Sequence, residues 1–444
     1  MQDNNNPSQF AESSAAFLRE HWSDLDDQQK VEAFNQLPFP SAKEFFQNLR
    51  TIEQSHLLLS LTPQERGPWI RILPPDDLAD LIQEIGEERR QETLQLLDPV
   101  TRSEVIALLA YDEDEAGGLM NPRFARLRPE MTVDEALRYL RRQAPHVETT
   151  QYAYILDNSQ RLLGVCSLRQ LFVADGSHLV QNVMQKSLVV AQDTLSQESL
   201  AKLFLNSGFN ALPIVDPQGR MVGVVTADDI VQVVEEEATE DIQRLGGSEV
   251  LDAPYLEISL RKMIRKRAGW LVALFLGEML TATAMAHFEH ELARAIVLAL
   301  FIPLIISSGG NSGSQASTLV VRAIALREVK LTDWWRVFSR EIIVGTSLGL
   351  ILGIIGFLRV YFWPNRESVY GPHFQAIGVT VGVTLVGVVL WGSLVGSMLP
   401  FLLKKLRLDP ATASAPFVAT LVDVCGLIIY FSVATFTLTE MLRL

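Results

Sequence analysis

Arg261-Lys-Met-Ile-Arg-Lys-Arg-Ala-Gly-Trp-Leu-Val-Ala-Leu-Phe-Leu-Gly-Glu-Met-Leu-Thr-Ala-Thr-Ala-Met-Ala286 turns from a basic run into an apolar stretch within a few residues. It divides a chain of 444 residues into two halves of opposite character. Residues 1–260 carry 42 of the 52 acids and 21 of the 38 bases, a net charge of −21. Residues 261–444 carry the other 10 acids and 17 bases, a net of +7, together with nearly all the long apolar runs. The reading is an acidic soluble half joined to a basic-flanked membrane half. Such acidity argues against a nucleic-acid partner, whose phosphates it would repel, and points toward cations.

A helix needs about 20 largely apolar residues to cross the hydrocarbon core. Five stretches qualify: Ala268–Phe288, Leu292–Val321, Glu341–Phe362, Ala376–Leu403 and Ala411–Leu438. Basic residues gather before the first, between the second and third (Arg322, Arg327, Lys330, Arg336, Arg340) and between the fourth and fifth (Lys404, Lys405, Arg407). The positive-inside rule then puts the N-terminal half in the cytoplasm and the C-terminus outside. The opening Met1-Gln-Asp-Asn-Asn-Asn lacks the features of a signal peptide, in keeping with a cytoplasmic soluble half. Cys166 and Cys425 fall in different halves, so no disulfide or cysteine metal site is expected.

The second span contains Ser307-Ser-Gly-Gly-Asn-Ser-Gly-Ser-Gln-Ala-Ser-Thr318, polar and small at membrane depth. One reading is a helix break whose carbonyls, with Asn311 and Gln315, face water or a hydrated ion. The other is a small-residue packing seam. The two amides favour a pore lining. In the fifth span Asp423 stands near the middle, where an ionised carboxylate costs about 2.5–3.5 kcal/mol, with no basic residue in the span to pair with it. It reads as a cation site; a protonated Asp bonded to a neighbouring helix is the alternative. Glu278 in the first span is a weaker second candidate, and His287 and His290 read as interfacial. Carboxylate, amide and carbonyl oxygens without thiols or converging histidines suit a hard divalent ion: magnesium, calcium or manganese.

Residues 1–115 read as consecutive short amphipathic helices, a loose superhelical repeat with no catalytic constellation. Residues 119–244 hold two similar units. Each pairs a helix (Val133–Arg142, Gln197–Ser207) with a strand-turn-strand, Tyr152–Cys166 and Ala211–Val225. This tandem resembles a pair of CBS domains, which commonly bind adenine nucleotides through a Ser/Thr-x-x-Asp element. The second unit has Thr226-Ala-Asp-Asp229, but the first has Ser167-Leu-Arg-Gln170 without the acid, so a regulatory dimer module is favoured over ATP binding. Acid clusters lie at Asp112–Glu115 and along Glu235–Glu257. Apposed carboxylates repel unless a divalent ion sits between them, which gives a metal-dependent switch.

Taken together, Asp114-Glu-Ala-Gly-Gly-Leu-Met120, the CBS pair, Pro303 with Gly309-Gly-Asn-Ser-Gly-Ser-Gln315, and Pro416 with Ala419-Thr-Leu-Val-Asp-Val-Cys-Gly426 resemble the MgtE family of magnesium channels from about residue 35 to the end. The resemblance implies a homodimer in the cell (inner or plasma) membrane with its pore between membrane domains. In it Asp423 holds hydrated Mg2+, with Gly309, Gly310, Asn311, Gln315, Ala419 and Gly426 lining the path. It also implies regulatory Mg2+ at Asp112, Glu115, Asp228, Glu249, Asp252 and Glu257, and a plug helix over Gly246–Lys266. Thr226 and Asp229 are the nucleotide candidates.

The expected architecture is therefore an all-α superhelical domain (1–117), an α/β CBS pair (118–181 and 182–244), a connecting plug helix (245–267) and a five-helix pore domain (268–444). The expected function is a magnesium channel closed by cytoplasmic magnesium. A cation-coupled carrier and a non-conducting membrane-anchored sensor are the alternatives. Neither a P-loop nor a nucleophile–base pair is present in the sequence, which argues against a pump or an enzyme.

Overall fold

The computed structural model describes residues 18–251, 255–256, 258–288 and 296–442. They form two compact units, one up to Glu237 and one from Ala238 onward.

The first unit opens with helices α1 (Asp27–Asn35), α2 (Phe39–Gln47), α3 (Thr51–Ser60), α4 (Pro63–Ile70), α5 (Pro75–Ile85), α6 (Glu87–Gln95), α7 (Pro99–Leu108) and the short α8 (Ala116–Leu119). Local chemistry sets their starts. Proline occupies the first turn of α4, α5 and α7, where its missing N–H costs nothing. Asp98 accepts the backbone N–H groups of Val100 and Thr101 at the head of α7. Their apolar faces meet in a core of Phe34, Phe45, Phe46, Leu58, Leu81 and Ile82.

The pair of similar units expected over 118–244 follows as two matching three-stranded sheets. β1 (Arg126–Leu127) runs parallel to β2 (Tyr152–Leu156), which is antiparallel to β3 (Leu162–Ser167); β4 (Ala191–Gln192), β5 (Ala211–Val215) and β6 (Met221–Thr226) repeat the order. The first half adds α9 (Val133–Gln143), α10 (Leu168–Val173) and α11 (Val180–Val183), the second α12 (Gln197–Ser207) and α13 (Ala227–Leu245). Even the hairpin turns match. Asp157 Oδ1 accepts the N–H groups of Ser159 and Arg161, and Asp216 Oδ1 those of Gln218 and Arg220. The helical array and the second half share one core, with Leu200, Leu212, Ile214 and Val225 packed into the same cluster as Leu81 and Val105.

The second unit contains five helical spans long and apolar enough to cross a membrane, counted among the described residues. They are α14 (Leu260–His287), α15 (Ile302–Ala325, preceded by a 3-10 turn), α16 (Trp334–Tyr361), α18 (Phe374–Lys405) and α19 (Ala415–Leu442), with the short α17 (Arg366–Tyr370) before α18. The Ser317 hydroxyl donates to Ala413 O near the basic end, and the Tyr430 hydroxyl to Leu298 O near the other. These bonds fix α15 against α19 at both ends.

Two expectations are corrected. No helix break occurs at Ser307–Thr318, since α15 is continuous through it. Its glycines instead admit α18: a Cβ on Gly313 would lie 3.0 Å from Gly392 O, and one on Gly392 would lie 3.1 Å from the Gly309 carbonyl carbon. Backbone meets backbone there, and the Ser312 and Ser393 hydroxyls bond across the seam at 2.8 Å. Nor, among the described residues, does one helix cover 245–267. α13 ends at Leu245, Gly247 adopts a positive φ of 71°, and α14 starts at Leu260 under a Ser259 cap. Gly247 lies against Trp270 and Pro416, where a side chain would collide. The basic run Arg261–Arg267 therefore belongs to the first membrane helix.

The seam makes a prediction. Gly392→Val drives a branched side chain into α15 backbone that cannot step aside. It is expected to destabilise the membrane unit by about 3 kcal/mol, the upper end for overpacking, read as a lower melting temperature in detergent. An unchanged melt contradicts this account of the seam.

Candidate functional site

Asp423 is the ninth residue of the 28-residue α19, half-buried, and Gly310 of α15 makes room for it. A Cβ on Gly310 would lie 3.6 Å from Asp423 Oδ1 and 3.3 Å from the Ala419 Cβ. Gly310, Ala419 and Asp423 thus form one place, a carboxylate beside bare helix backbone. Asn311 and Gln315 lie on an exposed stripe of α15 that also includes Ser307, one helical turn apart each time. The Asn311 amide donates to the Ser307 hydroxyl at 3.3 Å. Gly309 and Gly426 go elsewhere: both pack on the Val388 side chain inside the seam.

In the same unit Arg244, at the end of α13, pairs with Glu240 and with Asp409 in the loop that leads into α19. The Glu249 N–H reaches Lys266 O at 3.4 Å, which places Glu249 beside the start of α14. Asp252 and Glu257 lie outside the described residues.

The soluble unit holds an acidic cluster that reading along the sequence did not anticipate. Asp76, Asp77 and Asp80 on α5 face Asp228 and Asp229 at the start of α13, with Glu148 alongside. Burial, then the neighbouring acids, hold the Asp76 carboxyl well above the usual carboxylate range. Burial and the Asp228 charge raise Asp77 to about 6. Burial with Asp77, Asp229, Glu236 and Glu113 raises Asp80 to about 7, and burial with Asp228 and Glu148 raises Asp229 to about 7 against two bonds from Thr226. Asn121 is wedged among them, donating to Asp76 Oδ1 at 3.1 Å and Glu148 Oε2 at 2.7 Å.

Among the described residues, no three His, Cys, Asp or Glu side chains converge closely enough to hold a bare ion. Of the expected regulatory acids, Asp228 belongs to this cluster. Asp112 and Glu115 line a neighbouring cleft of about 570 Å³ with Glu113, Asp114, Gln83 and Arg90, and the Glu113 charge also reaches Asp80. The hint in the sequence was Asp76 and Asp80, like charges one turn apart on a helix with a buried face, a costly arrangement without a counter-charge.

Thr226 and Asp229 are used locally. Asp229 Oδ2 accepts the Thr226 N–H and hydroxyl, both at 2.9 Å, which caps α13. Ser167 and Gln170 make the equivalent box at α10. Beside β5 runs a tight slot lined by Tyr152, Tyr154, Val165, Leu188, Phe209 and Pro213. The Tyr152 and Phe209 rings meet edge-to-face at 5.9 Å.

Comparison with known proteins follows the same division. Residues 302–433 match a family described as divalent cation transporter, 14–114 the MgtE intracellular N domain, and 116–176 and 180–236 the CBS domain. The magnesium transporter MgtE of Thermus thermophilus is 43% identical, over 93% of this chain and 90% of its own. That of Enterococcus faecalis is 29% identical, over 88% of this chain and 93% of its own. A crystal structure of the cytosolic domain of the Mg2+ channel MgtE with ATP covers 51% of this chain and 95% of its own, at 39% identity and a TM-score of 0.48. The chain belongs to the MgtE family of magnesium transporters.

Proposed function

We propose that the chain conducts Mg2+ passively across the cell membrane as a homodimer, closed by Mg2+ bound at its cytoplasmic acids. The observation that carries the reading is Asp423: a carboxylate nine residues inside a membrane-spanning helix, beside backbone opened by Gly310. A charge in that position belongs against water, and a carboxylate in water at that depth attracts cations. Magnesium gives up its waters reluctantly, so one carboxylate with carbonyl and amide oxygens suits the hydrated ion.

A second copy is supported by what one chain leaves uncovered. The stripe of Ser307, Asn311 and Gln315 is exposed, and so is Glu278 on α14. Polar groups at that depth call for a protein or aqueous neighbour, which a symmetric partner supplies. The basic ends of the spans support a cytoplasmic soluble half and an outside C-terminus.

For regulation, Asp76, Asp77, Asp80, Asp228, Asp229 and Glu148 are the acids that a hydrated Mg2+ would hold together. Without it their repulsion favours separation of α5 from α13. α13 is one continuous helix from that cluster to Arg244, whose pair with Asp409 ties it to the loop before α19.

The test is Mg2+ uptake into dye-loaded proteoliposomes carrying the full chain. Uptake well above that of protein-free liposomes is expected. No uptake at low internal magnesium contradicts the reading and favours a non-conducting sensor.

A further inference from the structure

The first membrane helix carries a carboxylate that the pore reading leaves without a role. α14 touches α19 through small residues: a Cβ on Gly277 would lie 3.0 Å from Thr420 Cγ2, one turn before Asp423. Glu278 is the next residue, midway along the apolar part of α14, and its charge lies within electrostatic range of the Asp423 carboxylate. No Lys or Arg occurs in α14 after Arg267, and Glu278 makes no ion pair among the described residues. An exposed, unpaired carboxylate at that depth is strongly disfavoured against lipid, so it belongs against water or protein. Two carboxylates that feel each other's charge, neither with a basic partner, are reconciled most simply by a cation in the water between them.

We propose that Glu278 is a second carboxylate of the magnesium path, which engages the ion at Asp423 through its water shell. This rests on the pore reading above. The chemistry also makes Glu278 a specificity residue. An ion that keeps its waters can answer both carboxylates at once, and magnesium keeps them where calcium readily takes direct oxygen ligands.

The test measures half-saturating Mg2+ for uptake by the full chain in proteoliposomes, for native protein, Glu278→Gln, Glu278→Asp and Asp423→Asn. Block by hexaamminecobalt(III), an exchange-inert mimic of hydrated magnesium, is read in parallel. Removing one charge near a divalent ion in a wet path is worth roughly tenfold in affinity. Glu278→Gln is therefore expected to raise half-saturation by about that factor and to weaken the block similarly. Glu278→Asp, which keeps the charge, is expected to stay within about twofold of native.

Unchanged half-saturation and block in Glu278→Gln overturn the proposal. So does equal loss of uptake in Glu278→Gln and Glu278→Asp, which marks a packing role. Native-like uptake in Asp423→Asn overturns the pore reading itself. A silent Asp423→Asn beside a native-like Glu278→Gln overturns the role of Glu278 alone.

Discussion

Asp423→Asn is expected to lower Mg2+ uptake at least about a hundredfold. The change removes one unit charge facing a doubly charged ion at close range. Coulomb energy for such a pair runs from roughly 2 kcal/mol in water to roughly 7 kcal/mol at an effective dielectric near 20, and a hundredfold is about 2.7 kcal/mol. Asn has nearly the same shape, so the contacts of Gly310 and Ala419 survive. Removing a charge from the middle of a span is expected to leave the melting temperature in detergent unchanged or raised. Loss of uptake in a protein that melts normally therefore isolates the charge. Uptake above a tenth of native would move the ion site away from α19.

The acidic cluster gives the second large effect, on stability. Asp76, Asp80 and Asp229 have carboxyls raised in the folded unit, the last two to about 7, against roughly 3.9 for an unfolded Asp. A raised acid pKa means that the folded unit binds protons more tightly than the unfolded chain. Its stabilising contribution is full below about pH 4 and is lost as pH rises through about 7. In magnesium-free buffer the melting temperature of the soluble unit should fall between pH 5 and pH 8. For Asp80 and Asp229 the folded and unfolded values lie about 3 units apart, on the order of 4 kcal/mol each.

Magnesium acts on the same charges. Millimolar Mg2+ should raise the melting temperature by several degrees at pH 8 and far less at pH 5, where protons already neutralise the cluster. Asp80→Asn should raise the magnesium-free value at pH 8 and shrink the magnesium increment. Equal magnesium effects at both pH values, or an Asp80→Asn protein as responsive as native, would remove the cluster from regulation.

What the sequence made legible was what depends on one segment at a time. The apolar lengths and basic flanks located the spans, and Asp423 stood out because hydrocarbon tolerates a charge so poorly. The repeated strand-turn-strand marked the two CBS halves. What escaped depends on pairs of segments. Gly309 and Gly313 left a break and a packing seam both open, because glycine disfavours helix in isolation, by about 1 kcal/mol relative to Ala. Their partners Gly392 and Gly396 carry the same four-residue spacing, as do Gly345, Gly349 and Gly353, and close packing outweighs that cost. Matching these spacings across helices would have pointed to the seam.

The acidic cluster was hidden for a related reason. Asp76, Glu148 and Asp229 are far apart in the chain, and only the packing of α5 against the second CBS half brings them together. The Glu235–Glu257 run drew the eye because it is contiguous. The helix expected over 245–267 does not continue from α13 because Gly246 and Gly247 follow Leu245 directly, and glycine just after a helix ends it more readily than it extends it.

The most direct measurement is the current through the full chain in a planar bilayer with magnesium as the only divalent cation and unequal concentrations on the two sides. Passive conduction of a doubly charged ion predicts a reversal potential that moves by about 30 mV for each tenfold change in the gradient, with a current that declines as magnesium on the soluble-domain side rises into the millimolar range. A reversal potential that ignores the magnesium gradient, or follows the proton gradient instead, would contradict a passive magnesium path.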